Sequence, residues 1–191
     1  GLGREMHEHV SYSGDAVLMY THTGTHIDAL SHFGLNGRIW NGFHHDSHQG
    51  DLGWHKGGAE NLPPIIARGV LIDVPAYKGM DMLPDSYRIM PADLEGALVR
   101  QGVRLQTGDA VFIRTGRMRV IDDKQRYMDN PPGIGLDAAR WLVETHGAML
   151  IGSDNLSLET FPVETPAGVV TALIGAPFFL WLLVRMRRGR L

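Results

Sequence analysis

The chain has 191 residues, 43% of them apolar and 20% charged, with a formal net charge of -3, the balance of a folded globular protein rather than a disordered one. So small a net charge gives no electrostatic reason to expect nucleic acid or an acidic membrane as partner. Cysteine is absent, which excludes disulfides and thiolate metal sites together; any metal must rest on imidazole and carboxylate.

The chain opens GLGREMHEHV, with neither an initiator Met nor a signal-peptide pattern. An N-terminal piece is expected to be missing. Lack of cysteine fits a reducing compartment, and a cytoplasmic location is expected.

The next stretch places His22, His26, Asp28 and His32 within eleven residues. On a straight strand, residues four apart lie roughly 13 Å from one another, too far for one ion with bonds of about 2.1 Å. On one continuous helix, Asp28 points away from both histidines before it. A strand that breaks at Gly24 and becomes a helix capped by Thr25 brings them together. His22 then reaches in from the strand end, while His26 and Asp28 come from the first helical turn. His32, over a turn further along, approaches the same cavity. Two imidazoles and a carboxylate form a partial coordination sphere that leaves positions open for water and substrate. A further imidazole, with an ordinary pKa of about 6.5, suits a general base.

Residues 34–64 have no clear period and are rich in Gly, His, Asp and Trp, as a binding loop would be. Within them, His44, His45, Asp46 and His48 read as a solvated loop near the pocket rather than a second metal cluster. Trp40, Phe43 and Trp54 offer an aromatic wall for a flat ring substrate, with ordinary packing as the alternative.

From there strands and helices alternate. A β-branched run over 65–74 predicts a buried strand ending at Pro75. A helix is predicted from Pro91 to Gly102, with Leu94, Ala97, Leu98 and Gln101 on one face. A strand follows over 110–115, then a helix with Asp137 in its first turn and Gly147 as its stop. A third strand leads into Ser153, Asp154 and Asn155. This alternation predicts an α/β domain. Arg117, just after the second strand, is a candidate for orienting a substrate carboxylate or carbonyl, an exposed arginine being the other reading. Asp154 ends the third strand on the same side of a parallel sheet.

Residues 168–184 form an uncharged apolar run followed by Arg185, Arg187, Arg188 and Arg190. Alone it resembles a short membrane span with a basic flank. Gly175 and Pro177 in its middle favour a buried core segment instead, so no membrane is expected. A single domain over 1–191 is expected, with 168–191 as an atypical apolar and basic tail.

HTGTHIDALSH, His22 to His32, resembles the signature of the cyclase family of metal-dependent hydrolases, which includes bacterial kynurenine formamidase and isatin hydrolase. The pattern His-x-Gly-Thr-His-x-Asp-x-x-x-His is met at every fixed position. GLNGRIWNGF, RGVLIDV, GDAVFIRTGR and GSDNLSLETFP are more similar to the isatin-hydrolase branch, and the resemblance spans about positions 16 to 165.

The resemblance implies a swivelling β/β/α fold, metal ligands at His22, His26 and Asp28, and a catalytic base at His32. It implies zinc or manganese, with the branch favouring manganese, a homodimer or homotetramer, and a small-molecule substrate whose amide is opened by metal-activated water. That amide is expected to be an isatin-like lactam or an N-formyl aryl amide. Family members also carry a late His followed by Glu or Gln. Here Val170 and Leu180 stand roughly at those positions, and no histidine or acid follows Glu164. A family remnant that binds metal or assembles without catalysis is therefore the alternative expectation.

Overall fold

The computed structural model describes residues 4–7, 10–12, 14, 16–20, 22, 24–34, 36–51 and 53–162. The elements, in chain order, are β1 (Arg4–His7), β2 (Val10–Tyr12), α1 (His45–His48), β3 (Gln49–Gly50) and β4 (Gly53–Trp54). There follow β5 (Gly69–Asp73), α2 (Val74–Lys78), β6 (Arg88–Ile89), α3 (Pro91–Gln101) and β7 (Ala110–Arg114). The last are α4 (Lys124–Met128), β8 (Gly133–Ile134), α5 (Leu136–Arg140) and β9 (Leu150–Ser153).

β5, β7 and β9 form a parallel sheet in that order, with Val70 opposite Val111 and Val111 opposite Ile151. β6 and β8 add a small parallel pair, while β1–β2 and β3–β4 are antiparallel. The α/β class expected from the alternation is the class observed.

The strand expected over 65–74 pairs only at 69–73. Pro63 and Pro64 lack the N–H a ladder needs, and Ile66 just after them is almost fully exposed. At its other end the Asp73 carboxylate accepts from Ala76 N–H at 3.0 Å, so the chain turns at once into α2 with Pro75 in its first turn.

α3 runs as expected from Pro91 to Gly102, which takes a positive φ of 68°. Leu94, Ala97 and Leu98 are buried. Gln101 does not pack; its amide accepts from Asp73 N–H at 3.0 Å and donates to Leu71 O at 2.7 Å. It thereby covers backbone groups that an edge strand would otherwise leave open. The helix expected over 136–147 is α only to Arg140 and continues as a π turn over Trp141–Thr145.

Val70, Ile72, Val111 and Ile113 face a core completed by Leu94, Leu98, Ala138 and Leu142. Burial of each large side chain there contributes about 1.5–3 kcal/mol. Leu71 and Phe112, on the other sheet face, remain about half exposed.

The Asp109 carboxylate, 3% exposed, accepts from Arg68 Nε at 2.8 Å, from the neighbouring guanidinium nitrogen at 2.7 Å and from Gln106 N–H at 2.7 Å. The Arg68 hydrogen bonds hold its pKa below the usual carboxylate value against the opposing effect of burial. Because the folded pKa is depressed, its stabilisation is fully present above the unfolded carboxyl value of about 3.9 and fades as pH falls through the lower folded value. Asp109→Asn is expected to cost about 1–3 kcal/mol at pH 7. Urea denaturation at pH 7 and at pH 3 should show that difference shrinking in acid; an unchanged difference would mean that the charge contributes nothing.

Candidate metal centre

Gly24 takes a positive φ of 71°, a conformation a residue with a Cβ rarely adopts. The bend turns the chain so that three donor atoms meet. His22 Nδ1 lies 3.0 Å from His26 Nε2, and Asp28 Oδ1 lies 3.2 Å from the first and 3.4 Å from the second. Ligands bonded at about 2.1 Å to a single cation are separated by about 3.0 Å at right angles and about 3.4 Å at the tetrahedral angle. The triangle fits that requirement.

The tautomer fits as well. His26 Nδ1–H donates to Gly24 O at 2.9 Å, which leaves Nε2 with a lone pair facing the triangle. Two ring nitrogens and a carboxylate oxygen pointing at one another need a proton or a cation between them. Side-chain exposures of 27%, 35% and 53% for His22, His26 and Asp28 leave a side of the cluster open to solvent.

The scaffold differs from expectation. Residues 24–29 are not helical, and Thr25 caps nothing. Thr25, His26, Ile27 and Asp28 are all weak helix formers, and the segment is held instead by Ser31 N–H donating to Gly57 O at 3.0 Å. His32 comes to the cluster from this same irregular stretch. Its ring centroid is 4.3 Å from that of His22, tilted by 34°, and it offers a nitrogen within 4.8 Å of donors on His22 and Asp28.

The aromatic candidates lie on the next loops. Trp40 and Phe43 pair at 6.1 Å between centroids, and Phe43 meets His48 edge-on at 5.0 Å. Trp54 sits on β4 opposite Gln49.

Arg117, read either as a substrate-orienting residue or as an exposed arginine, does not face solvent at all. Its side chain is fully buried; it pairs with Asp85 at 2.5 Å and donates to the carbonyls of Arg126, Tyr127 and Asp129. The guanidinium thus ties the segment around α4 to Asp85, ahead of β6.

Asp154, left open between a cap and a pocket contact, accepts from Thr115 N–H and Oγ1–H at 2.6 Å each and from Gly116 N–H at 2.9 Å. It braces the turn after β7. Sequence reasoning missed a cleft at the C-terminal ends of β5 and β7, where Arg114 donates to Asp73 Oδ1 at 2.8 Å beside Asp81 and Arg100. Charged residues ending adjacent parallel strands were its one available signal. Among the described residues no helix is long and apolar enough to cross a membrane; the expectation for 168–184 falls outside them.

The Cyclase family model matches residues 2–160, and that of the FecCD transport family matches residues 145–185. Cyclase-like protein 1 of Arabidopsis thaliana is 29% identical over 147 residues, 76% of this chain and 47% of that protein. The Fe(3+) dicitrate transport system permease protein FecD of Escherichia coli (strain K12) is 73% identical over 26 residues, 14% of this chain and 8% of that protein. A crystal structure of a novel cyclase superposes with a TM-score of 0.77 at 29% identity, over 96% of this chain and 66% of that one. An isatin hydrolase bound to the product analogue thioisatinate superposes with a TM-score of 0.56 at 19% identity, over 85% of this chain and 56% of that one. The chain spans less than half the length of the curated relatives it matches.

Proposed function

Because the chain belongs to the Cyclase family, whose model covers residues 2–160, we propose that it is a metal-dependent hydrolase of C–N bonds other than peptide bonds. Its substrate would be a small molecule with a cyclic amide of the isatin-lactam kind, or an N-formyl aryl amide. The observation that carries this reading is the 3.0–3.4 Å triangle of His22, His26 and Asp28, a donor set suited to Mn2+ or Zn2+.

A divalent cation held there supplies Lewis acidity, acidifying water and polarising a carbonyl. His26 keeps its orientation through the Gly24 carbonyl, so Nε2 stays turned to the centre. His32 takes a proton from the attacking water at a ring nitrogen and returns it to the leaving amide nitrogen. Trp40, Phe43 and Trp54 would line the approach of an aromatic ring. The same reading carries a homodimer or homotetramer and a cytoplasmic location.

The test is metal dependence of turnover. With isatin and N-formylaniline as probes, hydrolysis should fall to background after dialysis against EDTA and return on adding Mn2+ or Zn2+. Turnover indifferent to the chelator would overturn the reading.

A second reading, a metal-binding or assembly protein without turnover, has one observation in its favour. The stretch in which the late His and acid are expected, with Val170 and Leu180 in their places, lies inside the FecCD-like residues 145–185. Retention of metal with no hydrolysis of either probe would select it.

A further inference from the structure

A second set of metal-capable donors lies at the base of the hairpin that carries Trp40. The chain folds back there through an antiparallel bridge between Arg38 and His44. Ile39 N–H donates to Phe43 O and His45 N–H to Gly37 O, both at 2.9 Å. Asn41 and Gly42 form the tip with positive φ of 61° and 73°, and Ile39, 4% exposed, anchors the hairpin inward. The backbone at His44 and His45 is thus fixed by the hairpin itself, as a preorganised ligand set requires.

The side chains converge on one carboxylate. His45 Nε2 stands 2.6 Å from Asp46 Oδ1, and His44 Nδ1 stands 3.6 Å from Asp46 Oδ2. One donor atom from each of the three lies within 4.8 Å of the others. The far edge of the His44 ring rests on Gly37, where an added Cβ would come within 3.1 Å of Nε2; Nδ1 is therefore the nitrogen turned to the carboxylate. The two rings meet edge-on at 85°, centroids 5.3 Å apart, so their nitrogens reach Asp46 from different directions.

We propose that His44, His45 and Asp46 form a separate surface site for a borderline first-row cation, Zn2+, Ni2+ or Cu2+. Two imidazoles and one carboxylate suit these ions better than Mg2+, which favours an all-oxygen set. The side chains are 42%, 45% and 73% exposed, so water completes the coordination. His44 Nδ1, 3.6 Å from the carboxylate, must close by ring rotation before the three share an ion, which makes this site weaker for Zn2+ than the compact triangle.

Calorimetric Zn2+ titration of the full chain tests it. With the first centre disabled by His22→Ala and His26→Ala, the chain should still bind one Zn2+, and adding His44→Ala and His45→Ala should abolish that binding. In the same background Asp46→Asn, which keeps both rings, should weaken Zn2+ at least tenfold with an unchanged far-UV spectrum. No binding in the first variant, or an isotherm unmoved by the changes at His44, His45 or Asp46, overturns the proposal. Hydrolysis is nowhere read out, so this site and the hydrolase reading stand or fall separately.

Discussion

His32→Ala is expected to lower turnover by about two to four orders of magnitude, the usual contribution of a positioned general base, while the chain keeps its cation. The argument is geometric. His22, His26 and Asp28 already make a closed triangle at 3.0–3.4 Å, whereas His32 approaches through ring contact with His22 at 4.3 Å between centroids. That places an imidazole beside the centre rather than within it. Its nitrogen nevertheless lies within 4.8 Å of the His22 and Asp28 donors, so ligation is the rival role. Elemental analysis of the purified variant separates the two: a His32→Ala chain that has lost its metal identifies a ligand. His26→Ala, by contrast, should lose metal and turnover together.

Arg117→Ala is expected to destabilise the fold by about 1–3 kcal/mol, the cost of leaving backbone acceptors without their charged donor. Asp85 is 60% exposed and can rehydrate, so little of that cost is its own. Most comes from the carbonyls of Arg126, Tyr127 and Asp129, which lose their charged donor. Arg117→Lys should recover only part of the loss, because one ammonium cannot satisfy acceptors spread around a planar fork. Urea unfolding at pH 7 measures both. A change below about 1 kcal/mol for the alanine variant, the range of an ordinary surface substitution, would show that the guanidinium does not hold the α4 segment in place.

The parts of the fold legible in the sequence were those written locally. β-branched runs gave β5 and β7, and Pro91 with Gly102 bounded α3 because each imposes a backbone angle on its own position. The convergence of His22, His26 and Asp28 was also legible, since Gly24 marks the bend and the spacing excludes both regular elements. The support beneath them was not: an irregular segment tied by Ser31 to Gly57 depends on a partner twenty-six residues away, which no period records. Arg117 shows the same limit more sharply. A charge after a strand reads alike whether it meets solvent or a loop that returns to cover it, and Asp85 and the 126–129 carbonyls carry no pattern that announces the covering. The π turn after Arg140 was likewise hidden, because its apolar spacing is close to that of an α-helix.

The place of β9 decides where this polypeptide can be cut. Likeness to the transporters sets in at residue 145, ahead of the strand that pairs with β7, of the aspartate bracing Thr115, and of Glu159, bridged to Ile134. Severing the chain at that border would tear an outer ribbon from the sheet and slacken the turn beside it. Any truncation meant to keep the sheet must spare β9 and the residues through Glu159, because the described fold runs on through the overlap of the two family matches, residues 145–160.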